Sequence, residues 1–243
     1  TARGYGISEK RIGRHLSHRR DEFLLSTKVG YGIEGYTDWT YDCIIAGVEE
    51  ALHRLKTDYI DIVHLHSCLT ETLQKGEVID ALEEVERQGK VRVAAYSGEN
   101  EAFDFAVNSH RFGSGMSSLN ICDQQIIDRI LHIAKAKGMG FIAKRPIANA
   151  PWRFTEQPSG HYSEEYWLRW KQMNLDLGMN ELEVALRFSA FTYGVDSCIV
   201  GTINVEHIKK NAELINKGKL LEEIVSQIQK AFRQNDNNWI GQL

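Results

Sequence analysis

The chain has 243 residues, 42% of them hydrophobic and 26% charged, with a formal net charge of −4. That is an ordinary globular composition, long enough for one large α/β domain or two small ones. The negative balance and the lack of a Lys/Arg run beyond clusters such as His18-Arg19-Arg20 argue against a nucleic-acid surface, and no stretch approaches the roughly 18 consecutive apolar residues of a membrane span.

The chain opens with Thr1 and reaches a Gly-flanked turn, Gly4-Tyr5-Gly6, just before a helix start. Phe23 to Lys28 reads as the first strand. Helix 40–55 follows, with Ile44, Val48, Ala51, Leu52 and Leu55 on one apolar face. The next strand, 59–66, ends on His66. Helix 75–88 buries Val78, Leu82 and Val85 and stops at Gly89, a glycine in the place a helix terminator takes. Strand 91–97 leads into a helix near 100–108. A weaker strand, Met116–Leu119, is followed by helix 123–137, a Gly138 stop and strand 139–144. A long irregular stretch, 147–178, precedes helix 180–193, where Asn180 and Glu183 read as an N-cap pair. Strand 197–201 and helices near 204–216 and 219–233 complete the chain.

This is about six βα units in one domain, 1–243, with no linker signal. Such alternation means a parallel sheet with helices outside it. The Rossmann G-x-G-x-x-G and the P-loop patterns are absent, so a closed (β/α)8 barrel is favoured over an open doubly wound sheet. Six strands cannot close the eight-stranded form; the first two strands are expected upstream of Thr1. Stretch 147–178 carries Trp152, Phe154, Tyr162, Tyr166, Trp167 and Trp170. It is either a helical insert packing its own aromatics or a flap over the site. The tail around Trp239, within 219–243, either folds over the barrel mouth or frays.

Lys28 and His66 close two strands, and polar residues at the C-terminal ends of barrel strands face the catalytic mouth. A phenol (Tyr5), an ammonium (Lys28) and an imidazole (His66) together suit proton donation to a carbonyl oxygen. His64 and His66 lie on one side of their strand. An H-x-H pair can bind metal in hydrolases, but no third ligand with a suggestive context accompanies it, and no metal is expected. Cys43, Cys68, Cys122 and Cys198 form no C-x-x-C pair, and no signal-peptide pattern is visible. Reduced thiols in a cytoplasmic protein are the expectation.

Several blocks, in order, resemble the aldo-keto reductases. Thr1-Ala2-Arg3-Gly4-Tyr5-Gly6-Ile7-Ser8-Glu9 is similar to that family's D-T-A-x-x-Y-G-x-S-E segment. Ser26-Thr27-Lys28 resembles its S-T-K strand end, and Asp58-Tyr59-Ile60-Asp61 through His66 its D-Y-[IV]-D-x-x-x-x-H block. Gly89-Lys90-Val91-Arg92 with Ser97, and Gly201-Thr202 through Asn211, resemble two further blocks. The resemblance implies reduction of an aldehyde, ketone or sugar carbonyl by a nicotinamide cofactor, or the reverse oxidation. Tyr5 would be the general acid. A free phenol has a pKa of about 10, and a nearby ammonium favours the phenolate; Lys28 would supply that cation. His66 would hydrogen-bond the carbonyl oxygen. The family's Lys-pairing Asp would fall immediately before Thr1.

The resemblance implies cofactor contacts at Ser97 and in the stretch Gly201, Thr202, Asn204, His207 and Asn211; Asn120, close after Met116, and the strand-end pair Lys144 and Arg145 are further candidates by position. Gly98 and Met116 stand where the family more often has Asn and Gln, and Lys144 where many members stack a Tyr on the nicotinamide. Lys144 and Arg145 instead reach pyrophosphate or form a surface pair. Gly201 and His207 replace the usual Lys and Arg around the 2′-phosphate of NADP. NADP is the default because Lys209 and Lys210 can compensate; NAD remains open. Ser67 and Cys68 follow His66 where many members carry a bulky residue, which leans the substrate toward a small polar or sugar-like carbonyl. Two rival functions remain: a non-catalytic cofactor-binding accessory or sensor subunit of the same fold, and a Schiff-base enzyme using Lys28. The oligomeric state stays open.

Overall fold

The computed structural model describes residues 1–242; Leu243, the last residue of the expected 219–243 tail, lies outside them. Ten α-helices and six strands alternate along the described residues. The strands are β1 (Ser26–Val29), β2 (Ile60–His66), β3 (Val91–Ser97), β4 (Ser114–Ser118), β5 (Gly140–Lys144) and β6 (Ser197–Cys198). They form one sheet in chain order, and β1–β2, β2–β3, β3–β4 and β5–β6 pair in parallel. The helices are α1 (Ser8–His15), α2 (Tyr41–Leu55), α3 (Thr70–Lys75), α4 (Glu77–Arg87), α5 (Asn100–Ser109), α6 (His132–Ala136), α7 (Glu164–Met173), α8 (Glu181–Phe191), α9 (Val205–Asn216) and α10 (Glu222–Asn235). None among the described residues is long and apolar enough to cross a membrane.

The chain packs as two compact units. The first comprises Thr1–Met116 with Lys137–Met139; the second comprises Ser117–Ala136 and Gly140–Gln242.

In the first unit, α2 buries the five apolar residues its periodicity predicts, and Thr40 caps it by accepting from the Cys43 amide at 3.4 Å. The expected strand 23–28 forms only from Ser26. Upstream, side chains take the backbone: Arg20 Nη1 donates to the Phe23 carbonyl at 3.0 Å, and Asp61 Oδ2 accepts from the Leu25 amide at 2.8 Å. The expected helix 75–88 is α4, which starts at Glu77 because Gly76 stands at φ +82° between it and α3, a short helix the sequence pattern did not predict. Gly89, at φ +77°, ends α4 as expected, with the Lys90 amide returning to the Val85 carbonyl at 3.1 Å. The weak strand expected at Met116–Leu119 begins two residues earlier.

In the second unit, the expected helix 123–137 is a π-turn over Ile127–Leu131 running into the short α6. Asn180 caps α8 by accepting from the Glu183 amide at 3.2 Å. Stretch 147–178 is not irregular throughout: it holds a 3-10 turn (Pro151–Arg153) and α7. Its aromatics pack on one another, Trp152 against Trp170 at 5.9 Å, while Trp167 Nε1 donates to the Phe154 carbonyl at 3.0 Å. The tail is held as well. Trp239 is half-buried against Phe232 at 5.4 Å, and buried Arg169 donates to the Ile240 carbonyl at 2.8 Å. Strand 197–201 shrinks to the two residues of β6.

Candidate active site

The geometry around Tyr5 follows from a tight turn. The Tyr5 amide bonds the Ala2 carbonyl at 3.1 Å, and the Ser8 amide returns to the Tyr5 carbonyl at 3.2 Å. Gly6 supplies a left-handed φ of +60°, open to glycine at no steric cost. The turn leaves the Tyr5 side chain 54% exposed, available to a small molecule. Immediately after it, α1 docks so closely on α2 that a Cβ on Gly13 would lie 2.3 Å from the Arg54 carbonyl oxygen.

Strand register builds the rest. Lys28 pairs with His64 across β1–β2, His64 with Ala95 and His66 with Ser97 across β2–β3. Residues two apart on a strand share a face, as do direct partners across a sheet, so Lys28, His64, His66 and Ser97 present to one side. Lys28 is buried, and its Nζ donates to the Thr1 carbonyl at 3.0 Å while lying 4.9 Å from the centre of the Tyr5 ring. The His66 ring meets Tyr5 edge-on, centroids 6.0 Å apart. Tyr5, Lys28 and His66, far apart in sequence, therefore stand together.

His64 is fully buried. Its Nδ1 lies 3.3 Å from both the Thr27 carbonyl and Ser26 Oγ, and its Nε2 has no partner among the described residues. Burial first, and the Lys28 charge second, push its pKa down to about 3. It is a neutral imidazole at any ordinary pH.

Two residues of this cluster escaped the sequence reading. Tyr31 Oη lies 2.9 Å from His66 Nδ1, and the two rings stack at 5.4 Å with 24° between planes. The signal was present: Gly30-Tyr31-Gly32 repeats the Gly-flanked pattern of Tyr5, just past Lys28. Glu9 is the second. Its buried carboxylate accepts from Arg54 Nε at 2.6 Å and from Thr27 Oγ1 at 2.5 Å, joining α1 to α2 and β1.

Ser97, at the end of β3, is buried. Gly98, the departure noted beside it, has a local reason: a Cβ there would lie 2.2 Å from the Tyr96 hydroxyl, which donates to the Cys68 carbonyl at 2.7 Å. Met116 is buried beside it in register with Ser97. After His66, Ser67 is exposed at φ +62° while Cys68 is buried. The polar wall expected of both residues thus reduces to Ser67.

In the second unit, Asn120 is fully buried. Its Oδ1 accepts from the Cys122 amide at 2.8 Å, and its Nδ2 has no partner among the described residues. Lys144 ends β5 half-buried. Arg145, at φ +54°, is drawn into protein contacts: it donates to Ser118 Oγ at 3.0 Å, Tyr162 Oη at 2.5 Å and the Gln242 carbonyl. Its guanidinium anchors the insert and tail. Gly201, Asn204 and His207 are exposed, with Thr202 and Asn211 half-buried. Asn204 caps α9 by accepting from the Glu206 amide at 3.0 Å, and Thr202 Oγ1 lies 3.1 Å from His207 Nδ1.

The family model described as the aldo/keto reductase family matches residues 1–233. The chain is 26% identical to the L-galactose dehydrogenase of Arabidopsis thaliana over 93% of its own length and 76% of that protein's. It is 27% identical to the uncharacterized oxidoreductase YqkF of Bacillus subtilis (strain 168), over 95% and 80%. The solved aldo-keto reductase AKR11C1 from Bacillus halodurans, in its holo form, superposes with a TM-score of 0.79 at 25% identity. That superposition covers 94% of this chain and 79% of the other. A model spanning nearly the whole chain, with relatives of both kinds, establishes that the chain belongs to the aldo/keto reductase family, whose fold is the (β/α)8 barrel.

Proposed function

We propose that the protein is an NAD(P)H-dependent reductase of a small polar or sugar-like carbonyl, working in either direction, with Tyr5 as general acid. The observation that carries this reading is the meeting of Tyr5, Lys28 and His66 on one side of the strand ends. Tyr5 is exposed enough to reach a substrate oxygen. Lys28, a cation held beneath it, favours electron density on the phenol oxygen and eases release of the proton. His66 offers a ring nitrogen to the same carbonyl oxygen, so that charge developing there is stabilised by a preplaced donor. For alcohol oxidation the same groups run in reverse, with Tyr5 accepting the proton.

The residues fit a nicotinamide cofactor. Asn120, in the second unit, carries a buried amide donor with no partner among the described residues, the kind a carboxamide oxygen accepts from. The start of α9 offers backbone N–H groups and a favourable dipole for phosphate. When bound, the reduced cofactor supplies the hydride. Lys209 and Lys210 pair with Glu206 at 2.8 Å and Glu213 at 3.6 Å on the exposed face of α9. Such exposed pairs are weak, so either lysine can turn to a 2′-phosphate; NADPH is the proposed donor and NADH its competitor. The departure from a crowded wall after His66 and the likeness to a protein named L-galactose dehydrogenase favour a sugar or sugar-like substrate. Four cysteines, none in a disulfide, suit residence in the cytoplasm.

The test is NADPH and NADH oxidation against aldehydes, ketones and aldoses, with NADP and NAD reduction on the matching alcohols and aldoses. Turnover on a polar carbonyl or sugar supports the reading. Tight cofactor binding without turnover on any of them contradicts it.

A further inference from the structure

Whatever His66 does for a carbonyl oxygen depends on which of its nitrogens carries hydrogen. A neutral imidazole has one donor and one acceptor, and the bond made at one nitrogen decides what the other offers. In this chain the bond at Nδ1 is made by Tyr31, 2.9 Å away. If Tyr31 donates, Nδ1 accepts and Nε2 carries the hydrogen. If Nδ1 donates, Nε2 turns a bare lone pair toward the substrate, and two acceptors would face each other.

Two features choose the first arrangement. Among the described residues, His66 Nδ1 is the one hydrogen-bond partner of Tyr31 Oη, so the phenolic hydrogen meets an acceptor in the protein only if Nδ1 is bare. Burial, and then the Asp38 carboxylate, hold the Tyr31 phenol above its ordinary pKa, so it keeps that hydrogen. The ring cannot easily swing away. It stacks on His66 at 24° and leans on Trp39 at 5.8 Å. Trp39 in turn fills the space over Gly30, where a Cβ would lie 2.2 Å from its ring.

We propose that Tyr31 is a positioning residue that donates its phenolic hydrogen to His66 Nδ1, fixing His66 as the Nε2–H tautomer and fixing its ring plane, so that the imidazole presents a donor to the carbonyl oxygen. The inference rests on the carbonyl-reductase reading above for its consequence, though not for the tautomer itself.

The test combines spectroscopy and kinetics. Long-range ¹H–¹⁵N correlation on histidine-labelled protein at about pH 8, above the ordinary histidine range, reports the tautomer of His66, assigned by the signals lost in His66→Asn. The native protein is expected to show neutral Nε2–H. Tyr31→Phe keeps the ring and both stacking contacts. It is expected to give a mixture of tautomers and a kcat roughly 10- to 100-fold lower, the range found when partners orienting metal-bound imidazoles are removed, with Kd for NADPH and Tm near native. A native Nδ1–H tautomer or an imidazolium overturns the proposal, as does a Tyr31→Phe enzyme with native kcat or an unchanged tautomer. Should Tyr31→Phe fail to fold, the native spectrum alone decides. An inactive Tyr5→Phe enzyme beside an unimpaired Tyr31→Phe enzyme refutes the role of Tyr31 only; a fully active Tyr5→Phe enzyme refutes the reductase reading while the spectrum still reports on Tyr31.

Discussion

Replacing Glu9 by alanine should loosen the frame that holds Tyr5 and Lys28 together. The carboxylate is 2% exposed, in the first turn of α1, just past the Tyr5 turn. One oxygen accepts from Arg54 Nε on α2, the other from Thr27 Oγ1 beside Lys28 on β1. In Glu9→Ala, Arg54 keeps Glu50 at 2.6 Å, so its charge is not orphaned. The loss there is one charge-assisted hydrogen bond, about 1.5–3 kcal/mol. The Thr27 hydroxyl, fully buried, loses its acceptor outright, which costs about 1–3 kcal/mol. A further few tenths come from removing an acidic group at a helix N-terminus. The expected destabilisation is about 4 kcal/mol, within the range for breaking a buried pair. For a chain of this size that lowers Tm by roughly 8–16 °C, measured by calorimetry or circular dichroism. Glu9→Gln retains an acceptor for Thr27 and should recover part of the loss. A Glu9→Ala effect below about 1 kcal/mol, the range of exposed pairs, would mean that Glu9 does not tie α1 to α2 and β1.

Three further expectations follow from the same region. Gly13→Ala places a methyl against Arg54 and Leu55 backbone, 2.3 and 2.7 Å from the nearest atoms; backbone cannot step aside, so a loss of about 1–3 kcal/mol or more should appear in urea unfolding. Gly30→Ala meets both a φ of +144° and the Trp39 ring; it should cost about 2 kcal/mol and shift the Trp39 fluorescence, whereas an unchanged spectrum would mean Trp39 does not pack there. His64 gives a pH signature. Its folded pKa of about 3 lies below the unfolded value near 6.5. Between those limits the unfolded chain binds more protons, so stability falls as pH drops from about 6.5 toward 3. His64→Gln should flatten that part of the stability curve, and an unaltered slope would rule out His64 as its source.

The βα alternation was legible because each amphipathic helix carries its own period and each short apolar run its own boundaries; β3 and α2 came out within a residue of the expectation. The errors lie where a side chain or a single backbone angle overrides pattern. Arg20 and Asp61 capture the backbone before β1, and Gly76 at φ +82° starts α4 two residues late, after a short α3 the pattern did not predict. The site divides similarly. Tyr5, Lys28 and His66 stand in short blocks that can be recognised together. Tyr31 and Glu9 act through partners 35 and 18 residues away, and such pairs exist only once strands are in register. The departures at Gly98 and Cys68 also became intelligible only in three dimensions, through the Tyr96 side chain that fills the space beside one and bonds the carbonyl of the other.

Tyr5 carries the proposed chemistry. Tyr5→Phe removes one oxygen from an exposed ring and leaves Lys28, His66 and the turn in place. With a carbonyl substrate and NADPH in stopped-flow, the expected result is a roughly 10²- to 10⁴-fold loss of turnover, the usual worth of a positioned general acid, with cofactor Kd unchanged. Native turnover in Tyr5→Phe would contradict it.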